Sequence, residues 1–191
     1  MFIRLFRHFF PPKRKEQIDL LQEKGLVIGN NTTIHSPDCF DATYPWLIEV
    51  GDNCLFSTEV KILAHDASTL WVSDYTRIGR VTIGNNVYLG YRTTVLCNVK
   101  IGDNVIVGAQ SLVNRDLPSN GVYAGIPARY ICSIEEYRQK QQVLLEESPK
   151  YEYSWKYWKD RATEQERMDM KNSLTDKNGF VIISAKARDK E

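Results

Sequence analysis

His65 and Asp66 are the residues whose chemistry first suggests a reactive site. A free imidazole titrates at a pH of about 6.5, so a neutral histidine can accept a proton at physiological pH. A carboxylate beside it can orient the ring or contact a substrate, although such an acid is often only solvated. The pair is a candidate general base with its partner if the surrounding chain forms a cleft, and a packed loop if it does not.

Metal and thiol chemistry find little support in the sequence. The three histidines, His8, His35 and His65, span 58 positions without a closely spaced pair, whereas a catalytic zinc needs about three convergent ligands. The four cysteines form no CxxC pair, which argues against a zinc or redox motif. We therefore expect no metal, and we expect reduced thiols as in a cytosolic protein.

Length and charge limit the class of protein. The chain has 191 residues, 42% of them hydrophobic, which suits one domain with a real core and an appendage. Its 25 basic and 24 acidic residues nearly cancel, so nothing favours nucleic acid as a partner. No apolar run reaches the roughly 18 residues of a spanning helix, and the opening MFIRLFRHFF lacks the cleavage site of a signal peptide. A cytoplasmic protein is expected.

The composition changes sharply near residue 133. Residues 1–133 hold 25 charged residues and residues 134–191 hold 24, so the tail is far more charged and is predicted to be mainly helical. A short helix is predicted over 13–24, with Gly25 at its end. The predicted organisation is an N-terminal helical cap over 1–25, a body over 26–132 and a C-terminal extension over 133–191.

A six-residue repeat runs through the body. Counting in sixes gives an aliphatic residue six times running: Ile83, Leu89, Val95, Ile101, Val107 and Val113. A glycine follows four of the six. This period fits neither an amphipathic helix nor an alternating strand. It fits a short strand followed by a corner, three times per coil of 18 residues, with the aliphatic residue inside and parallel strands stacked about 4.8 Å apart.

The repeat breaks beside His65. Ile62 and Ile83 are 21 positions apart, which is not a multiple of six, so some of the residues between them must leave the coil. We predict an inserted loop over about 63–77. Because the face of such a coil is flat, a projecting loop is one way to form a cleft.

The chain resembles the hexapeptide-repeat acyltransferases, and within them the galactoside/maltose O-acetyltransferase and polysaccharide O-acetyltransferase group. The resemblance rests on PWLIEVGDN (45–53), AHD (64–66), IGRVTIGNNVYLG (78–90) and AGIPARYI (124–131), together with the repeat. It implies an all-β solenoid, a left-handed parallel β-helix with a short N-terminal helix and a helical tail. It also implies acetyl-CoA as co-substrate and a homotrimer with active sites between adjacent subunits.

The resemblance assigns roles to particular residues. His65 matches the family's loop histidine, the general base for direct acetyl transfer, and Asp66 is its expected catalytic neighbour. Asp41 falls near the place where relatives hold the acceptor sugar, and Trp71 could stack on a sugar ring. Six residues are expected to bind acetyl-CoA: Tyr91, Gly108, Ala109, Asn114, Arg115 and Arg129. Of these, Tyr91 and Asn114 depart from the family's usual small residue and threonine.

A covalent acyl-enzyme is not expected. Cys54 fills a buried position of the repeat, and no histidine can be placed beside Cys97, although a nucleophilic cysteine needs an activating base.

Three functions are compatible with the sequence. The first is an acetyl-CoA-dependent O-acetyltransferase acting on a sugar or glycan precursor. The second is an N-acetyltransferase of an amino-sugar nucleotide, and the third is a non-catalytic scaffold. The loop at His65 and the motif GIPAR (125–129) argue against a scaffold, because neither is needed to stack coils.

The tail and the first residues suggest further contacts. The segment YEYSWKYWKDR (151–161) is expected to pack or to mediate assembly, with an interfacial membrane segment as the alternative. Basic residues among phenylalanines at the start, including Arg4 and Arg7, also suggest a weak peripheral contact with an anionic membrane.

Overall fold

The computed structural model describes residues 14–182, which form two compact units that divide between Glu135 and Glu136. The first unit begins with helix α1, Arg14–Glu23. The chain leaves the helix through Gly25, whose φ of 100° is readily adopted by glycine. Leu21 of this helix packs into the core. His8 lies outside the described residues, and so do Arg4 and Arg7 of the predicted membrane contact.

Three parallel sheets make up the body of the first unit, and the chain enters them in rotation. The first sheet contains β1 (Val27–Ile28), β3 (Ile48–Val50), β8 (Val81–Ile83) and β11 (Val99–Ile101). The second contains β2 (Thr33–Ile34), β4 (Leu55–Phe56), β9 (Tyr88–Leu89), β12 (Ile106–Val107) and β14 (Gly121–Ala124), with β15 (Arg129–Ser133) antiparallel at its edge. The third contains β5 (Lys61–Ile62), β10 (Thr94–Val95) and β13 (Leu112–Val113).

The pairing register follows the sequence repeat. Strands pair with those 18 residues further on in all three sheets, as in the pairs Val81–Val99, Tyr88–Ile106 and Thr94–Leu112. All six aliphatic residues of the repeat are buried, and so are the corner residues four positions after each: Val87, Thr93, Val99, Val105, Ser111 and Leu117. Burying one Val, Leu or Ile side chain contributes about 1.5–3 kcal/mol. The inward rows are therefore a main source of the coil's stability.

The corners are built from residues with positive φ. Asn86, Asn104 and Asn120 have φ values of 55°, 55° and 63°, a left-handed region that asparagine tolerates better than most residues. Their side chains also form a ladder along the coil. Asn86 Nδ2 donates to Asn104 Oδ1 at 3.0 Å, and Asn104 Nδ2 donates to Asn120 Oδ1 at 2.9 Å. The asparagines thus fix the turns and join neighbouring coils.

One circuit of the coil is longer than the regular ones. Val81 pairs with Ile48, 33 positions earlier, so this circuit holds 15 residues more than the regular 18. The extra residues form a loop in which β6 (His65–Asp66) pairs antiparallel with β7 (Arg77–Ile78). A 3-10 turn, Ala67–Trp71, lies between the two strands. The loop leaves the coil after β5, beside His65.

The second unit is small and rich in aromatic contacts. It contains α2 (Ile134–Glu147), which begins at the division, α3 (Trp155–Asp160), α4 (Glu164–Ser173) and the parallel pair β16 (Lys150–Tyr151) and β17 (Phe180–Val181). The Trp158 ring lies 5.5 Å from that of Tyr151 and 5.6 Å from that of Tyr157. These residues of the aromatic segment therefore pack on one another. Over residues 14–182, no helix has the length and apolar character needed to cross a membrane.

Candidate active site

His65 lies on β6, where the long loop leaves the coil. Its side chain is 33% exposed. The imidazole Nδ1 forms a hydrogen bond with Asp41 Oδ2, which reaches it from the preceding circuit of the coil. The ring also packs on Tyr44 in a T-shaped arrangement, with centroids 5.4 Å apart. Two neighbours therefore fix the position of the imidazole.

The Asp41 carboxylate is almost fully buried, with 2% of its side chain exposed. Its Oδ1 accepts the N–H of Thr43 at 2.9 Å, and its Oδ2 accepts that of Ala64 at 3.0 Å. Burial opposes ionisation, but the hydrogen bonds from His65, Thr43 and Ala64 outweigh it and lower the pKa of Asp41. Because an ionised carboxylate only accepts, His65 Nδ1 carries the proton and Nε2 is the basic nitrogen. This is the tautomer that a general base needs.

His65 lines a cavity of about 360 Å³. The other lining residues come from both ends of the loop and from the next coil: Leu63, Asp66, Ala67, Arg77, Leu96 and Cys97. Strands β5 and β10 pair, so the residues that follow them are stacked. Cys97 therefore lies in the same cavity as His65, a proximity that the sequence analysis did not anticipate.

Asp66 is engaged within the loop. Its Oδ1 accepts the backbone N–H of Ser68 at 2.9 Å and caps the 3-10 turn, and its Oδ2 pairs with Arg77. Hydrogen bonds from Ser68 and Arg77 lower the pKa of Asp66 to about 2. Trp71 ends the same turn with 92% of its surface exposed, and it does not line the cavity.

The residues expected to bind acetyl-CoA fall in different places. Tyr91, Gly108 and Ala109 lie at the corner that follows the second sheet, whereas His65 lies at the corner that follows the third. Asn114 and Arg115 follow β13 and share the His65 corner, two strand spacings or about 10 Å from the end of β5. Arg129 begins β15, and its guanidinium donates to the carbonyl of Ala128 at 3.1 Å.

The side chain of Tyr91 is held by the neighbouring coil. Its hydroxyl donates to Glu59 Oε1 at 2.9 Å, which raises the pKa of Tyr91. Arg92 pairs with Glu59 Oε2 at 2.6 Å and lies over the Tyr91 ring, 5.0 Å from its centroid. The carbonyl of Tyr91 accepts the N–H of Gln110 at 2.7 Å. Tyr91 therefore sits directly beside the turn that carries Ala109.

Comparison with known proteins identifies the family. A family model described as bacterial transferase hexapeptide (six repeats) matches residues 80–115. CapG of Staphylococcus aureus is 35% identical over 150 residues, covering 75% of this chain and 87% of that protein. YvoF of Bacillus subtilis (strain 168) is 36% identical over 121 residues, covering 63% of this chain and 68% of YvoF. The chain belongs to the hexapeptide-repeat acyltransferase family.

The name of a third relative includes its substrate class. Galactoside O-acetyltransferase of Escherichia coli (strain K12) is 28% identical over 156 residues, covering 69% of this chain and 75% of that protein. The family and its homologues are acetyltransferases, so this chain is an enzyme of the acyltransferase class.

Besides Cys97, two further features of the site were missed by sequence reasoning. Asp41, predicted to hold the acceptor, has its carboxylate buried behind His65. The register could have indicated this contact, since Phe40 pairs with Ile62 and so brings the next residue close to the loop. Arg77 reaches the cavity because β7 pairs with β6, and no sequence motif predicts that pairing.

Among residues 14–182, His, Cys, Asp and Glu side chains form no group of three suited to a metal ion.

Proposed function

We propose that this acyltransferase moves an acetyl group from acetyl-CoA to a hydroxyl of a sugar or glycan precursor, with His65 as general base. The observation that carries the proposal is the hydrogen bond between His65 Nδ1 and the buried carboxylate of Asp41. It leaves Nε2 basic in a residue that lines a cavity. The sugar acceptor is suggested by the name of the Escherichia coli relative.

Direct transfer needs one proton carrier. His65 Nε2 takes the proton of the acceptor hydroxyl as the oxygen attacks the thioester carbonyl. The C–O bond forms, the C–S bond breaks through a tetrahedral intermediate, and the imidazolium gives its proton to the leaving thiolate of CoA. Asp41 stabilises that imidazolium from a buried position. We therefore assign Asp41 as a positioning residue, and Asp66 as a residue that shapes the loop.

The donor half of the proposal concerns acetyl-CoA. The main chain at Gly108–Ala109 would contact the pantetheine arm beside Tyr91, and Asn114, Arg115 and Arg129 would serve the nucleotide end. A cytoplasmic location, where acetyl-CoA is available, belongs to this proposal. Calorimetric titration with coenzyme A tests it: saturable binding near one site per chain is expected, and no binding by a folded sample would contradict it.

The fold and assembly are proposed in the family's finer form, a left-handed parallel β-helix that forms a homotrimer. The rotation through three parallel sheets and the 18-residue register support the β-helix. The placement of Ala109 one side of the coil away from His65 supports assembly, since a second copy could bring its own Ala109 corner to His65. If each site uses two copies, mixing His65→Ala with Ala109→Trp chains restores part of the activity. Failure of mixed, assembled chains to regain activity would contradict sharing.

The central experiment measures CoA release and acetylated product with hydroxyl and amino sugars. His65→Ala should lower turnover by about 10² or more, while His35→Ala, which changes an exposed histidine, should not. Retained turnover in His65→Ala would remove the base. Acetylation of amines alone would favour the N-acetyltransferase.

A further inference from the structure

Arg77 places a guanidinium in the wall of the cavity beside His65, where proton transfer itself does not require one. It lies on β7 opposite Asp66, and its side chain is 60% exposed. It lines the same cavity as His65. An acceptor whose hydroxyl reaches the imidazole from this cavity therefore also meets the guanidinium.

The ion pair of Asp66 and Arg77 is unequal in its hydrogen bonding. Asp66 Oδ1 accepts the backbone N–H of Ser68 and its Oδ2 pairs with Arg77, so both carboxylate oxygens have a partner inside the loop. A guanidinium has five N–H donors. Within residues 14–182, the guanidinium of Arg77 hydrogen-bonds to Asp66 Oδ2 through Nη2, and it lines the same cavity as Cys97. After the Asp66 carboxylate is paired, the hydrogen-bonding groups of this ion pair that remain available are N–H donors of the positively charged Arg77.

The remaining cavity wall does not oppose an anion. Leu63, Ala67 and Leu96 are apolar, and the Asp66 carboxylate is already paired with Arg77. The ionised Asp41 lies buried behind His65 and does not line the cavity. His65 also becomes cationic as it takes the proton of the acceptor. An anionic group beside it would therefore be held most strongly when the proton is on the imidazole.

From this arrangement we propose that the acceptor carries an anionic oxygen group, a carboxylate or a phosphate, near the hydroxyl that is acetylated, and that Arg77 binds it. The planar guanidinium can hold either group through two parallel N–H···O bonds. Arg77 is then a specificity-determining residue. This assignment rests on the acetyl transfer proposed above and narrows its acceptor from sugars in general to acidic sugars.

Matched sugars that differ at one carbon test the assignment. Galactose, galacturonic acid and galactose 6-phosphate, with the three glucose counterparts, are compared by saturation-transfer NMR for binding and by kcat/KM for acetylation. We expect wild type to favour an acidic sugar by about tenfold or more, the low end for a charged hydrogen bond because Arg77 is exposed. Whichever of the sugar acids and the sugar phosphates binds more tightly and has the higher kcat/KM shows which anionic group Arg77 recognises.

Three variants locate the preference. Arg77→Met should abolish the preference for acidic sugars. Arg77→Lys keeps the positive charge but lacks the planar guanidinium that forms two parallel hydrogen bonds, so it should retain part of the preference. Arg80→Met is the matched control and should leave it intact, because Arg80 is 65% exposed and pairs with Glu49 at 2.8 Å.

The outcomes separate this assignment from the proposed function. Equal handling of neutral and acidic sugars by wild type, failure of every acidic sugar to bind, or a preference that survives Arg77→Met would overturn the role of Arg77 and leave acetyl transfer standing. Loss of both CoA binding and transfer to every sugar would instead contradict the proposed function. The NMR comparison still decides on Arg77 in that case, because it needs no turnover.

Discussion

Replacing Asp41 with asparagine should change the tautomer of His65 while keeping the shape of the site. Both carboxylate oxygens accept backbone N–H groups, from Thr43 on one side and from Ala64 on the other. Asparagine has one oxygen, so its NH₂ group must face one of these donors. If the oxygen faces Ala64, the NH₂ group meets the N–H groups of Thr43 and Tyr44. If the oxygen faces Thr43, only Ala64 is left without an acceptor, and the amide donates to His65 Nδ1.

The second orientation loses fewer hydrogen bonds and should prevail. His65 Nδ1 must then accept, which moves the ring proton to Nε2, where the imidazole cannot act as a base. Loss of general-base catalysis lowers turnover by about 10² to 10⁴. One buried N–H without a partner costs about 1–3 kcal/mol of folding free energy, so the variant should melt lower than wild type.

The assay is the initial rate of CoA release at saturating acetyl-CoA, with the imidazole tautomer read by ¹⁵N NMR. Asp74→Asn is the control, because Asp74 is an exposed carboxylate of the same loop. We expect the rate to fall in Asp41→Asn alone, with the proton on Nε2. A folded Asp41→Asn protein that works at the wild-type rate would refute the tautomer argument, as would an equal loss in Asp74→Asn.

Three further predictions concern the loop and the coil. Trp71 lies outside the cavity but is 92% exposed on the same loop, where it could stack on a part of the sugar that extends beyond the cavity. Trp71→Ala should then raise the acceptor KM severalfold with little change in melting temperature, and an unchanged KM would show that the acceptor does not use this ring. Asn104→Ala should lower the free energy of unfolding by about 1–2 kcal/mol, since its φ of 55° disfavours alanine. Asn104→Gly should lose less in denaturant unfolding, and equal losses would contradict that cause. With its pKa lowered to about 2, Asp66 should stabilise the loop above a pH of about 4 and lose this contribution as the pH falls through 2. A ¹³C titration of the carboxyl measures it, and a midpoint near 4 in wild type would be the contrary result.

The regular part of the fold is predictable because each strand and corner buries a fixed pattern of residues. Ile83 and its successors at six-residue intervals keep that pattern, and all are buried. The earlier circuits are harder to read. Val27 pairs with Glu49, a register of 22 residues, and 3-10 turns at Pro37–Cys39 and Pro45–Leu47 interrupt the strands there. Extra residues in a circuit erase the period without changing the sheets.

The site is less predictable than the coil because its contacts join irregular segments. The break in the repeat was enough to place His65 at the start of a loop. It was not enough to bring Asp41 to it, since that contact spans 24 positions and joins the irregular segments that follow Phe40 and Ile62. Arg77 depends on the register of a hairpin whose strands have two residues each. Short strands of mixed polarity carry no period from which such a register could be read.

The irregular circuits are also where a buried charge can be accommodated. Asp41 directly follows Phe40, and His65 lies three residues after Ile62 of the third sheet. Phe40 and Ile62 pair with each other. In the next coil the same corner has no extra residues, and it contributes Leu96 and Cys97 to the cavity wall. The segment after Phe40 turns the N–H of Thr43 onto Asp41, and the loop does the same with that of Ala64. Two successive irregular circuits at one corner are therefore what allows this coil to hold an ionised carboxylate behind a histidine.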